Sequence, residues 1–282
     1  MSQPSSPRST SDLAKTGPNF VNSLAKGLEI LSAFSEGDML GNQQLVELTG
    51  LPKATVSRLT STLVSLGYLR TDPITRKHFM GTRLLGMGAS VQRRIGLQRI
   101  AQPYMRKLSA ETGLTITLGT RDRLGLVILE VIRPPTAHRL VTNIDVGTVL
   151  PLASTALGLA YIVAAPIREQ TQILESLQTR FADDWTTLRE RIERAHSEYL
   201  RHGFVTTQRS WGRDVNGVAV PFLPTPRQTT YVFNFAGPAT RMPSTRMRRE
   251  LGPLLVQMTQ SLRAEMKQSP GPQLAPPEIY EP

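Results

Sequence analysis

Apolar residues along this chain fall first into helical spacing, then into strand-like runs, then into helical spacing again. Ser23 is placed to cap a helix whose Leu24, Leu28, Leu31 and Phe34 share a face. Leu45, Val46 and Leu48 predict the inner face of a second, short helix, which Gly50 stops because glycine tolerates a left-handed cap. Leu51 plugs the turn, and Pro52 pre-sets φ for the next helix. In that helix Val56, Leu59, Leu63 and Leu66 recur at spacings of three and four. Its other side carries Thr55, Ser57, Arg58, Thr60, Ser61 and Thr62, short hydroxyls with one cation. A helix that approaches base edges closely needs such a face rather than a salt-bridge lattice. Gly67 ends the helix. Tyr68-Leu69-Arg70 and Arg76-Lys77-His78-Phe79 can pair as strands around the Asp72-Pro73 turn signal, and the basic hairpin tip suits a phosphate contact. This is the outline of a winged helix-turn-helix, which lays one helix in the DNA major groove. A three-helix core with a merely solvated polar face is the alternative.

The pattern after the hairpin predicts a connecting helix from Thr82, with Leu84, Leu85, Met87, Val91 and Ile95 on an apolar side that meets either a partner chain or its own domain. A helix from Ile100 to Thr112, entered near Pro103, leads into strands at Thr115–Thr120, Leu124–Ile132 and Leu140–Asn143; the second of these is apolar enough for a central strand. Helices follow at Ser154–Ala165, Arg168–Gln178 and Asp184–His202. Strands at Phe204–Thr207, Gly217–Phe222 and Thr229–Phe235 precede a closing helix from about Thr240 to Gln268. This order predicts an α+β domain with helices on the faces of its sheet. Residues 1–18 and 268–282 are rich in Ser, Thr, Pro or Gly and lack periodicity, as disordered tails do. The organisation expected is a tail (1–18), a winged domain (19–81), a linker helix (82–99), an α+β domain (100–267) and a tail (268–282).

Charge sharpens the picture. The net charge is +11, and residues 1–100 hold 12 Lys and Arg against 6 Asp and Glu, whereas the remainder holds 21 against 16. Positive charge is therefore denser in the winged half, which favours a polyanionic partner. The absence of cysteine excludes disulfides, Cys nucleophiles and Cys-based metal sites, and suits a cytoplasmic location. No secretory pattern is visible at the N-terminus. Val146–Ile167 is 22 residues without a charge, but Gly147, Pro151, Ser154, Thr155, Gly158 and Pro166 interrupt it. It reads as a strand end followed by a buried helix, not a membrane span.

Enzymatic signatures are missing. There is no G-x-S-x-G elbow, P-loop or G-x-G-x-x-G. His78, His138, His196 and His202 are not at metal-ligand spacing, and His196 and His202 lie on a charged, solvated helix face. Asp183-Asp184 suits a helix start rather than paired-carboxylate catalysis. No cofactor is implied.

Seven stretches, in order, resemble the IclR family of bacterial transcriptional regulators: FVNSLAKGLEILSAF (20–34), LTGLPKATVSRLTSTLVSLGYL (48–69), HFMGTRLLGMG (78–88), IAQPYMRKLSAETGLTITL (100–118), VGTVLPLASTALGLAYIVA (146–164), GVAVPF (217–222) and FNFAGPATRM (233–242). The resemblance implies an N-terminal winged helix, a linker helix and a C-terminal GAF-like effector domain with an antiparallel sheet. It also implies dimers or tetramers on partly palindromic operators, and no enzymatic activity.

Carried over residue by residue, the resemblance puts Lys53, Thr55, Ser57 and Arg58 toward DNA, with Arg76 and Lys77 on its backbone. It puts Ala156, Leu157, Thr207, Gly217, Ala219, Asn234 and Ala236 at or near the effector pocket. Two departures matter. Leu159 follows Gly158 where family members often carry Lys, and Gly217, Asn234 and Ala236 stand where binders of small oxoacids resemble each other in having Cys and Ser. A larger, partly apolar carboxylate, aromatic or aliphatic, is therefore the expected effector. Trp211, Phe222, Phe233 and Phe235 would suit an aromatic ligand, and core packing explains them equally. A ligand-responsive regulator of a catabolic operon is the leading reading. A small-molecule-converting enzyme with an accessory winged helix, and a winged helix that binds only protein, are the alternatives.

Overall fold

A computed structural model of the chain describes residues 20–34, 39–94, 96–134, 144–209, 214–224 and 229–268. The expected tails, the Leu140–Asn143 strand, His138 and Trp211 lie outside them, as do the side chains of Val91 and Ile95. The chain forms two compact units, divided between Arg93 and Arg94.

The first unit holds α1 (Asn22–Ser32), α2 (Asn42–Thr49), α3 (Lys53–Ser65), a hairpin of β1 (Leu69–Thr71) and β2 (His78–Met80), and α4 (Arg83–Arg94), which reaches the boundary. Ile30, Phe34, Leu40, Leu45, Leu51, Val56, Leu63 and Leu69 make its core. Gly50 caps α2 at φ +69, with its N–H on the Val46 carbonyl at 2.8 Å. Pro52 precedes α3 at φ −58.

Several side chains depart from the sequence pattern. Leu24 and Leu28 are 62% and 54% exposed, and α1 buries Ile30 instead; a Cβ on Gly27 would lie 4.0 Å from the Leu59 side chain of α3. Ser23 lies within α1; Val21 stands at the cap position and no side chain caps the helix. Leu48 and Leu66, expected inside, are also about half exposed. In the hairpin, Leu69 pairs with Met80 and Thr71 with His78, so Arg76 and Lys77 belong to the connecting turn rather than to a strand. The Asp72 carboxylate shapes that turn by accepting from the Ile74 and Thr75 amides and the Thr75 hydroxyl.

The second unit contains α5 (Leu97–Thr112), β3 (Thr115–Asp122), β4 (Gly125–Ile132), β5 (Val149–Pro151), α6 (Ala156–Ala164), α7 (Ile167–Arg180), a 3₁₀ turn (Ala182–Asp184), α8 (Trp185–His202), β6 (Val205–Gln208), β7 (Val215–Phe222) and β8 (Tyr231–Pro238). A short α9 (Ser244–Arg246) passes through a π turn (Met247–Leu251) into α10 (Gly252–Gln268). Helix α5 starts three residues before the expected Ile100 and runs through Pro103. The closing helix was expected unbroken. Its π turn sits where a Cβ on Gly252 would fall 2.5 Å from the Phe204 ring, so close packing there shapes the register.

Among the described residues the strands form one antiparallel sheet in the order β5-β4-β3-β8-β7-β6. Alternation sends Val218, Val220, Phe222, Phe233 and Phe235 to one face, against Met105 of α5 and Leu255 and Leu262 of α10. Ala219 and Val232 face the other way, against α6. All of α6 from Ala156 to Val163 is buried, as its uniformly apolar sequence requires. No helix of the described residues is long and apolar enough to cross a membrane.

Candidate nucleic-acid interface and effector pocket

Helix α3 carries Lys53 and Arg58 and no carboxylate. Lys53, Ser57, Arg58, Ser61 and Thr62 are exposed, and Thr55 is half-buried. Thr60 is a correction to the expected polar face. It is 1% exposed, and its hydroxyl is within reach of the Val56 and Ser57 carbonyls (2.9 and 3.1 Å) and Asn42 Oδ1 (3.3 Å). Back-bonding to the preceding turn lets a threonine sit inward on a helix. What remains outside is a narrow strip of small hydroxyls flanked by two cations, with no side chain bulky enough to hold the helix away from a groove.

In the hairpin turn Arg76 is exposed and Lys77 half-buried. Arg76 adopts φ +58, a left-handed conformation uncommon outside glycine. The base of the hairpin is held by Arg83, which donates to the Leu66 carbonyl at 2.8 Å and lies over the Tyr68 ring. Asn42, His78 and Thr71, which the sequence pattern did not single out, form a polar cluster beneath the wing.

In the second unit, six of the seven residues expected near the effector line one small hollow: Ala156, Leu157, Thr207, Gly217, Asn234 and Ala236. Ala219 does not line it; one strand pair further along, it packs in the apolar cluster under α6. Gly217 pairs with both Thr207 and Ala236 across the sheet. A Cβ on Gly217 would lie 3.2 to 3.4 Å from Ala156, the Asn234 amide and Thr207 Oγ1, so these groups converge on one point. Ile144, Leu150, Thr155, Val215 and Asn216 complete the wall. Phe222, Phe233 and Phe235 lie on the opposite face of the sheet and cannot reach the hollow. They are core residues.

The hollow holds about 30 Å³, the room of one water molecule, so any larger occupant must displace its walls. None of its lining residues carries a charge. Its polarity comes from Thr155, Thr207, Asn234 and the start of α6, where the helix dipole favours an anion; Asn216 turns its amide to the other face and donates to the Met242 carbonyl at 2.8 Å. With its amide nitrogen turned toward acceptors, Asn234 donates to the Phe235 and Val218 carbonyls at 3.0 and 3.1 Å. Thr155 caps α6. Its hydroxyl accepts from the Gly158 amide (3.1 Å) and donates to the Pro151 carbonyl (2.9 Å). Thr155→Ala should therefore lower stability by about 1 kcal/mol, seen as a lower urea midpoint at unchanged slope.

A wider groove of about 800 Å³ runs along α8 and β6 and shares Thr207 with the hollow. It is chemically different: its walls carry five Arg and three Glu, and although Arg194 and Arg248 lie 3.4 and 3.6 Å from Glu190 and Glu198, the surface is charged and net positive. His196 and His202 are exposed, as expected. Among the described residues no cluster of three or more His, Asp or Glu could hold a metal.

Comparison with known proteins agrees with this geometry. Residues 23–73 match the family model of the IclR helix-turn-helix domain, and residues 89–264 match that of the bacterial transcriptional regulator IclR C-terminal domain. The chain is 57% identical over 268 residues to the HTH-type transcriptional regulator TsaQ1/TsaQ2 of Comamonas testosteroni, covering 95% of this chain and 96% of that one. The fold resembles the crystal structure of an IclR family transcriptional regulator from Brucella abortus, with TM-score 0.78, 33% identity and coverage of 90% and 95%. An IclR homologue from Microbacterium hydrocarbonoxydans, solved complexed with 4-hydroxybenzoate, shares the fold at TM-score 0.64 and 20% identity, covering 86% and 99%.

Proposed function

This chain belongs to the IclR family of bacterial transcriptional regulators and is a DNA-binding regulator rather than an enzyme, and from that premise we propose three finer properties. It binds a partly palindromic operator as a dimer or tetramer, through Lys53, Thr55, Ser57 and Arg58 on bases and phosphates and Arg76 and Lys77 on the backbone. It responds to a small carboxylate-bearing metabolite lodged between α6 and strands β6 to β8. It acts in the cytoplasm on a catabolic operon whose substrate or product is that metabolite.

The observation that carries the effector reading is the convergence of six separated residues on one uncharged hollow at the start of a buried helix. Methyl groups and leucines supply an apolar seat, the hydroxyls and amide supply hydrogen bonds, and the α6 N-terminus supplies the field for a carboxylate. The homologue complexed with 4-hydroxybenzoate supports an aromatic carboxylate. Because the hollow is nearly filled, binding must separate α6 from the strands, and only a ligand that prefers the opened state can shift the regulator. Self-association is supported by the exposed apolar side chains Val21, Leu24 and Leu28 at α1 and Leu85 and Met87 on α4. Half-sites should then lie about one helical turn, or a multiple of it, apart.

A thermal-shift screen of 4-hydroxybenzoate, other aromatic acids and aliphatic carboxylates tests the effector. At a hundredfold excess over its dissociation constant, a true effector adds about 2.7 kcal/mol and raises the melting temperature by roughly 5–10 °C. In Gly217→Ala, one methyl group fills most of the hollow, and the shift should vanish while operator binding persists. A shift that survives Gly217→Ala would move the effector elsewhere, and a screen without any shift would refute a carboxylate.

A further inference from the structure

We propose that His78 is a positioning residue for the wing, a hydrogen-bonded latch that fixes where Arg76 and Lys77 meet the duplex relative to α3. The proposal rests on the reading above, that α3 and the wing bind an operator.

His78 opens β2, directly behind Arg76 and Lys77. Its Nδ1 lies 3.0 Å from the hydroxyl of its cross-strand partner Thr71, and its Nε2 lies 3.2 Å from Asn42 Oδ1 at the start of α2. The same Asn42 oxygen is 3.3 Å from the hydroxyl of Thr60 on α3. The backbone adds a second tie, with His78 N–H donating to the Leu40 carbonyl (2.8 Å) and Leu40 N–H to the His78 carbonyl (2.9 Å). One chain of polar contacts thus runs from the recognition helix through Asn42 and His78 to both wing strands. Burial holds the imidazole below its usual pKa, so it is neutral at pH 7. A neutral ring has one N–H and one lone pair, and both are used here, with Nε2–H donating to Asn42 and Nδ1 accepting from Thr71.

The wing needs such a tie. Each of its strands has three residues, and an isolated hairpin of that size is marginal in water. Its tip also holds Arg76 at φ +58, which persists only where neighbouring structure imposes it. Arg83 and the Gly81 amide anchor the hairpin at its open end, the amide donating to Tyr68 O at 2.7 Å. Near the tip, the His78 side chain adds to its backbone pairing with Leu40 the link to Asn42 on α2 and, through Asn42, to α3. Thr60 faces inward for the same reason, which explains the hydroxyl that the polar face of α3 loses.

The experiment measures affinity against KCl concentration for the full-length chain, on a duplex that the wild-type protein selects from a randomised pool. Each phosphate contact contributes about 0.9 to the slope of log affinity on log salt. His78→Phe should lose up to two contacts per bound subunit, and the slope should fall by nearly two. A fourfold rise in salt would then cost the wild type roughly tenfold more affinity per subunit than the variant. His78→Gln, whose amide nitrogen can still donate to Asn42, should keep the wild-type slope. Asn42→Ala cuts the same bond without touching the ring and should behave like His78→Phe, which covers the case where the aromatic variant fails to fold. The slope belongs to the bound complex and does not change with the folded fraction, so a merely destabilised protein would leave it unmoved. A wild-type slope in folded His78→Phe or in Asn42→Ala, or a slope in His78→Gln as low as theirs, would overturn the latch. A wild type that selects no duplex, or binds without salt dependence, would overturn the operator reading beneath it.

Discussion

Replacing Arg58 by alanine is expected to weaken operator binding by about 1–3 kcal/mol, a loss of roughly five- to 150-fold, and to relax discrimination at the base pairs it reads. Arg58 is exposed on α3 one turn past Ala54, with only small side chains around it. Short neighbours allow the backbone to approach the groove, and a long guanidinium then reaches a base edge or bridges to a phosphate. Helix α3 itself carries no acid to neutralise it. Lys53, at the start of the helix, is the contrast. Lys53→Ala should weaken specific and non-specific duplexes alike and lower the salt slope by about one, because a phosphate contact carries no sequence information. Competition gel shifts with selected and scrambled duplexes separate the two. If Arg58→Ala bound both duplexes as the wild type does, the docking of α3 would have to be redrawn.

The recognition helix could be read from its sequence because two independent signals coincide there. Its leucine and valine spacing fixes a buried stripe, and Gly50, Pro52 and Gly67 fix its ends. Where only one signal was present, the reading slipped. Leu24 and Leu28 are apolar at helical spacing yet face outward, because which apolar face turns inward depends on how the other helices pack, and here Ile30 and Phe34 join the core instead. Thr60 looked like groove surface because hydroxyls are usually outside, whereas its one hydroxyl proton finds acceptors inside, the Val56 and Ser57 carbonyls and Asn42 Oδ1. The latch around His78 joins residues 7 and 36 apart in the chain, and no local pattern records it.

The hollow that we propose for the effector was legible for a different reason. Ala156, Gly217 and Ala236 carry no chemistry that composition or spacing would single out, and only the family resemblance pointed to them. Strand alternation does hold information that aromatic content conceals: Phe233 and Phe235 must share a face, and Asn234 between them must take the other. That parity alone separates core from pocket on β8. The closed state of the hollow was not legible, since it depends on how near α6 lies to the sheet, a distance set by glycines.

Gly158→Ala tests that distance. On helix propensity alone the substitution should stabilise α6 by about 1 kcal/mol. The structure reverses the sign. A Cβ at position 158 would lie 2.0 Å from the Leu152 carbonyl oxygen and 2.5 Å from its carbonyl carbon and Cα, all backbone atoms that cannot swing aside. The first turn of α6 would have to lift from Leu152. That movement breaks the cap in which the Gly158 amide donates to Thr155, and strains the pairing of Pro151 and Leu150 with Gly125 and Leu126. Overpacking typically costs about 1–3 kcal/mol and sometimes more, and a lost cap adds about 1. After the propensity gain, a net loss of roughly 1–3 kcal/mol should remain, lowering the melting temperature by roughly 2–12 °C. The lifted helix start would also deform the wall formed by Ala156 and Leu157, so the carboxylate-induced thermal shift should shrink together with stability. A Gly158→Ala protein as stable as the wild type would mean that α6 does not need this approach to Leu152. The hollow beneath it would then be a soft gap rather than a built site, and the effector would have to be sought elsewhere in the second unit.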